Sequence, residues 1–151
     1  MLIQITETEI DVATATNAIS NKAAGAINIF LGVVRNNNKG RDISYLVYDA
    51  YPEMAEKEMQ KIAKEAISKF DLEDCSIIHR VGRLEISETS LLIAVSSGHR
   101  EAAFLGGKWL VDEIKRRIPV WKKEVWTDGE EWIEGPEALG LQTPPESLKN
   151  A

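Results

Sequence analysis

A single cysteine, Cys75, stands in a chain of 151 residues, and only two histidines, His79 and His99, accompany it. One thiol cannot close an internal disulfide, and a zinc site needs about four Cys or His ligands, so no disulfide framework and no metal centre are expected. Cys75 lies in an apolar stretch and reads as a buried strand residue rather than a nucleophile. No apolar run reaches the roughly 18–20 residues that cross a bilayer, which predicts no membrane partner. The opening run Met1-Leu2-Ile3-Gln4-Ile5-Thr6-Glu7 has no basic segment of the secretory kind, so a cytoplasmic location is expected. The chain also lacks a P-loop, a G-x-G-x-x-G turn, an H-E-x-x-H helix and a G-x-S-x-G elbow. Nucleotide hydrolysis, dinucleotide redox chemistry, zinc proteolysis and serine hydrolysis are thereby without their usual signatures.

What is present fits one globular domain, since 44% of the residues are hydrophobic and domains of roughly 150 residues bury an ample core. The formal charge is -6, but its distribution is uneven. Between Arg100 and Lys123 there are seven basic residues against three acids, whereas from Glu124 onward there are seven acids and one lysine. One basic stretch in an acidic protein points to an anionic ligand more than to general polyanion binding.

Leu2 to Thr6 alternates like a short edge strand, and Asp11 is placed to cap a helix over Val12 to Ser20. Gly25 to Val34 reads as a strand feeding the polar loop Arg35 to Arg41, with Ile43 to Ala50 as the returning strand. Tyr51-Pro52 opens a helix whose apolar positions Ala55, Met59, Ile62, Ala63, Ala66, Ile67 and Phe70 recur at helical spacing. Cys75 to Gly82 and Ser90 to Val95 read as strands around a turn at Ser87-Glu88-Thr89, the second apolar throughout and so central. A further helix runs from His99-Arg100 to about Arg117, with Ala103, Leu110 and Ile114 inward and Gly106-Gly107 marking a close backbone approach. Pro119 ends it, Val120 to Thr127 is a strand, and Asp128-Gly129 turns into Glu131 to Glu134. Residues 1–134 therefore read as a single α+β domain with about three helices and a mixed, mainly antiparallel sheet. Residues 135–151, with Pro136, Pro144 and Pro145, read as a weakly structured tail.

Three places could carry chemistry. Ser97-Gly98-His99-Arg100 leads from an apolar strand into a helix, where free N–H groups together with His99 and Arg100 favour an anion. The bland alternative pairs Arg100 with a carboxylate and leaves His99 as a cap. Lys115-Arg116-Arg117 closes the same helix, where cations suit the dipole without any further role. In the following strand Lys122 shares a face with Val120, Glu124 and Trp126, and Lys123 with Trp121 and Val125. One lysine thus lies among apolar neighbours, available for nucleophilic or acid–base work unless it snorkels to solvent. Arg35 at the end of a strand is a third anion contact, while His79-Arg80 reads as a structural pair.

Taken together, several motifs resemble the large, catalytic subunits of molybdopterin synthases. They are Phe30-Leu31-Gly32-Val33-Val34-Arg35 with Asn38 and Gly40, Tyr48-Asp49-Ala50-Tyr51-Pro52-Glu53-Met54-Ala55, His79-Arg80-Val81-Gly82, Gly98-His99-Arg100 with Ala103-Phe104, and Lys115 through Glu124. They span roughly Gly25 to Glu134. The resemblance implies an α/β hammerhead-type fold that dimerises, with a small ubiquitin-like sulfur carrier at each end of a heterotetramer. It implies that the carrier's C-terminal Gly-Gly thiocarboxylate gives sulfur, twice, to cyclic pyranopterin monophosphate, forming the dithiolene of molybdopterin without a cofactor. Carried over by motif, Lys115 is the principal catalytic lysine and Lys122 the second. Arg35, His99 and Arg100 would anchor substrate, the last two from the opposite protomer. Val33, Val34, Lys123 and Glu124 would line the pocket, with Phe30 near the carrier tail. Asp49, where Glu is usual, the turn Ser87-Glu88 and the pair Gly106-Gly107 depart from the pattern without removing a proposed cation. Two other readings are a non-catalytic dimeric scaffold for the carrier and a basic-aromatic nucleic-acid surface built from Arg116, Arg117, Trp121, Lys122 and Lys123.

Overall fold

The computed structural model describes residues 1–144; the rest of the expected tail, Pro145 included, lies outside the described residues. Apolar alternation and helical periodicity translate into two four-stranded sheets, three α-helices and a short ribbon. In the first sheet β6 (Leu72–Arg80) and β8 (Thr89–Ser97) are central, with β1 (Leu2–Thr6) and β2 (Ala26–Val33) at the edges. β1 runs parallel to β6, and the other two pairings are antiparallel. β8 is central because it is buried on both faces, as its unbroken apolar run requires.

The two faces of this sheet are covered by different elements. On one, Cys75, Ile77, Ile93 and Val95 meet α2 (Pro52–Phe70) and α3 (Arg100–Arg117) through Ala55, Met59, Ile62, Ala66, Leu110 and Ile114. On the other, Ile78, Leu92 and Ala94 pack against Ala15 of α1 (Val12–Asn17) with Ile10 and Ile19. Asp11 caps α1 as expected, accepting from the Thr14 amide at 3.2 Å and its hydroxyl at 2.8 Å. α1 ends three residues before Ser20, at Asn17, and packs mainly on β6 and β8. Ile27, Ile29, Leu31 and Val33 of β2 are therefore left 38–56% exposed in a row.

The second sheet, ordered β10 (Gly129–Glu134), β9 (Val120–Trp126), β5 (Tyr45–Ala50), β7 (Gly82–Leu84), is antiparallel throughout. Here the sequence reading needs correcting. The strand expected to return beside β2 begins at Tyr45 and pairs with β7 and β9 instead. The Asn-rich loop folds into its own ribbon, β3 (Asn37–Asn38) with β4 (Arg41–Asp42), and carries the chain from one sheet to the other. Alternation specifies which face a residue occupies, not which strand it pairs with.

Gly106 and Gly107 meet side chains rather than a backbone. A Cβ on Gly106 would lie 3.1 Å from Leu72, and one on Gly107 2.9 Å from the Asn28 amide nitrogen. Beyond Gly135 the described residues are not loose: Glu137–Leu139 forms a 3-10 turn, and the buried Trp121 indole donates to the Leu141 carbonyl at 2.8 Å. Among the described residues no helix is long and apolar enough to cross a membrane.

Candidate active site

The two sheets diverge beside the C-terminal end of α3, leaving a cavity of about 290 Å³. Phe30, Val33 and Arg35 reach it from β2 and the loop that follows, Lys115 from the last turn of α3, and Lys122 and Glu124 from β9. His79, Tyr48, Ser90 and Glu134 also line it. Most of the residues chosen from sequence thus converge, although they are spread over nearly a hundred positions.

Three consecutive cations at the end of α3 have separate surroundings. Arg117 is only 15% exposed and is held by Glu58 at 2.6 Å, Glu65 at 2.6 Å and Glu113 at 3.4 Å. These bonds raise its pKa, the Glu65 hydrogen bond most, despite burial that opposes the charge. Arg116 pairs with Glu113 at 2.8 Å. Lys115 is exposed, lines the cavity and makes no hydrogen bond or ion pair among the described residues. The dipole-neutralising role that spacing offered to all three therefore comes with carboxylate partners for the arginines alone.

β9 sorts its lysines by alternation. Lys122 is turned to the cavity wall, with its Nζ 3.4 Å from Glu134. Lys123 lies on the other face, paired with Glu130 at 2.5 Å and 5.4 Å from the Trp132 ring centre, and does not line the cavity. Val34 does not line it either, being 2% exposed in a cluster with Ile43, Leu46 and Leu84.

Glu124 is 3% exposed and both its oxygens are used: Oε2 accepts from Asn38 at 2.7 Å and Oε1 from the Trp126 indole at 3.1 Å. Asn38 Oδ1 in turn accepts from Arg35 at 3.2 Å. Glu124 thus ties the β3–β4 ribbon to β9 and, through Asn38, orients the Arg35 guanidinium over the cavity. Sequence reading placed Glu124 on the wall but gave no sign of this chain of bonds, because its members lie 86 positions apart.

Of the cavity-lining residues not chosen from sequence, His79, Tyr48, Ser90 and Glu134, the first has the most distinctive surroundings. His79 is 7% exposed, its Nδ1 is bonded to the Arg80 carbonyl at 2.8 Å, and Tyr48 lies edge-on to it at 5.0 Å. Burial holds its pKa down at about 4; the Arg80 carbonyl pulls it up, the Lys115 charge pushes it lower, and Glu134 raises it. The ring is therefore neutral near pH 7. Burial likewise raises the Tyr48 phenol, and the hydrogen bond it shares with Ser90 opposes this.

His99 and Arg100 lie at the other end of α3, where both are exposed and neither side chain has a partner among the described residues. His99 occupies the N-cap position but makes no side-chain cap bond. Arg100 is about 22 Å from Lys115 along the helix axis at a rise of about 1.5 Å per residue, so one copy does not bring the two together. Cys75 is fully buried and its thiol is pushed up to about 12, first by burial and then by Asp74, which leaves no nucleophile there. The nucleic-acid reading fails on the same grounds of geometry, since Trp121 is 0% exposed and Arg116 and Arg117 are held by glutamates.

Comparison with known proteins gives the same direction. The family model described as MoaE protein matches residues 5–117. The molybdopterin synthase catalytic subunit of Pyrococcus abyssi is 47% identical over 127 residues, 84% of this chain and 86% of that protein. A solved structure described as molybdopterin synthase from Staphylococcus aureus superposes with a TM-score of 0.84 at 38% identity, covering 87% of this chain and 96% of that one. A protein–protein complex of subunits 1 and 2 of the molybdopterin-converting factor from Helicobacter pylori shares the fold, with a TM-score of 0.70 at 20% identity over 87% of this chain and 89% of that one. The chain belongs to the MoaE family.

Proposed function

We propose that this chain is the catalytic subunit of a molybdopterin synthase, transferring sulfur from the C-terminal thiocarboxylate of a small carrier protein to cyclic pyranopterin monophosphate. The observation that carries the site assignment is Lys115: alone among the three cations ending α3 it lacks a carboxylate, and it faces the same cavity as Arg35 and Lys122. A phosphate and a thiocarboxylate are both anions, and three cations around one cavity suit them. Lys115 is the reacting amine in this reading and Lys122 the second amine. Arg35, held by Asn38, anchors an anionic group, and Phe30 meets the carrier tail. The relatives' name and the two-subunit complex of the Helicobacter pylori neighbour support the small partner.

The dimer supports the remaining two anchors. β2 is an edge strand with four large apolar residues uncovered on one face. Its first end lies beside the last residue of β8, where Gly25 N–H donates to the Ser97 carbonyl at 2.9 Å just ahead of His99 and Arg100, and its far end leads to Arg35 and the cavity. Antiparallel pairing of two β2 strands about a two-fold axis sets the His99-Arg100 end of one copy beside the cavity end of the other. Eight residues of strand span about 26 Å, matching the roughly 22 Å that separates Arg100 from Lys115 within a copy. The assembly is a homodimer carrying one carrier at each end.

Reconstitution tests the reading. The native chain, thiocarboxylated carrier and cyclic pyranopterin monophosphate yield the dithiolene product, and Lys115→Ala lowers the rate by at least about a hundredfold while carrier binding persists. Product at a near-native rate from Lys115→Ala would remove Lys115 from the reaction. Carrier binding without product from the native chain would leave a scaffold.

A further inference from the structure

The rim and the floor of the cavity differ chemically. Arg35, Lys115 and Lys122 give the rim its positive charge, whereas His79, Tyr48 and Ser90 form a floor of neutral polar groups. Two of the floor groups satisfy one another: the Ser90 hydroxyl donates to the Gly32 carbonyl at 3.2 Å and is the hydrogen-bond neighbour of the Tyr48 phenol. His79 is different. Its Nδ1 faces the Arg80 carbonyl, which can only accept, so Nδ1 carries the ring proton and Nε2 is left with a bare lone pair. No residue among those described donates to Nε2. Arg80 Nε is the one side-chain polar atom among the described residues that is fully shut off without a partner, so His79 Nε2 opens on the cavity.

An acceptor in such a place is costly to leave unmatched and selective once matched, because a ligand lacking the donor strands it. The charged groups around it, Lys115 from α3 and Glu134 from β10, lie at the same cavity, and the ring stays neutral between them. The geometry points to His79 as a substrate-contacting residue: Nε2 accepts a hydrogen bond from an N–H or O–H of the uncharged heterocycle of the substrate, while the rim cations hold its anionic groups. Together, His79, Tyr48 and Ser90 form the subsite that recognises the heterocycle, which rests on the sulfur-transfer reading above for the substrate's class. No step of this contact moves a proton; its effect is on binding and orientation.

The chain has only two histidines, which makes the test direct. Nitrogen-15 histidine spectra of the full chain, with His99→Gln for assignment, show His79 Nε2 at a free pyridine-type position. Cyclic pyranopterin monophosphate moves it toward the hydrogen-bonded range, and inorganic phosphate does not. An Nε2 already hydrogen-bonded in the free protein, unmoved by bound pterin, or moved equally by phosphate, overturns the assignment. In the reconstituted reaction His79→Phe raises KM for the pterin about tenfold with carrier affinity unchanged, and His79→Gln, which keeps an amide acceptor, recovers most of the loss. Unchanged KM in His79→Phe likewise overturns it. Should His79→Phe fail to fold, the spectra of the native chain decide. Absence of product from the native chain would instead count against the sulfur-transfer reading, while the spectra still report on the acceptor.

Discussion

Lys115, Arg116 and Arg117 are adjacent in the chain, yet only the two arginines are held by carboxylates, and that difference is readable from partners rather than from residue type. Removing the Lys115 amine should leave stability within about 0.5 kcal/mol, as for an exposed side chain without contacts, a thermal melt of Lys115→Ala being the check. His79 makes the opposite kind of statement. Its folded pKa, about 4, is below the ordinary 6.5, so between these values the unfolded chain binds more protons and stability falls as pH falls. Above pH 6.5 the contribution is fully present; by pH 4 up to about 3 kcal/mol of it is gone. Melts of native and His79→Phe chains from pH 7.5 to 4.5 should diverge, the native losing the excess; parallel curves would mean the buried ring is not neutral. Sequence showed the cations and the inert cysteine, because residue type and strand position suffice for both. It did not show that His79 faces the cavity, since the two faces of β6 are apolar alike.

At the scale of elements, α3 is fixed against α2 by Arg117, which reaches Glu58 and Glu65 across the helix pair. Arg117→Ala leaves three carboxylates facing one another, so unfolding free energy should drop by about 1–3 kcal/mol, with activity falling as the Lys115 turn loosens. Equal stability in denaturant titration would show that the network is surface decoration. The β3–β4 ribbon is held to β9 by the buried Glu124 carboxylate on Asn38 and by the Arg41 guanidinium, which lies 3.6 Å over the Trp126 ring. Helices were legible from periodicity and caps, as Asp11, Pro52 and Pro119 illustrate. Strand partners were not, because β5 finds β7 and β9 through long-range pairing that no local pattern encodes.

For the whole molecule, the two sheets line the cavity, and in the proposed dimer β2 is the surface through which a second copy completes it. Ile29→Glu and Leu31→Glu place charges on the uncovered stripe without touching the cavity. Each should shift sedimentation toward the monomer and lower product formation at least about tenfold while the fold persists by circular dichroism. Full activity in a monomer would mean that one copy suffices. The most direct measurement mixes two inactive chains, Lys115→Ala and Arg100→Ala, after subunit exchange. A two-fold dimer whose sites combine Lys115 of one copy with Arg100 of the other has one intact site in each mixed dimer, so about a quarter of native activity should return. Mixed dimers that form and remain inactive would contradict a site shared between copies.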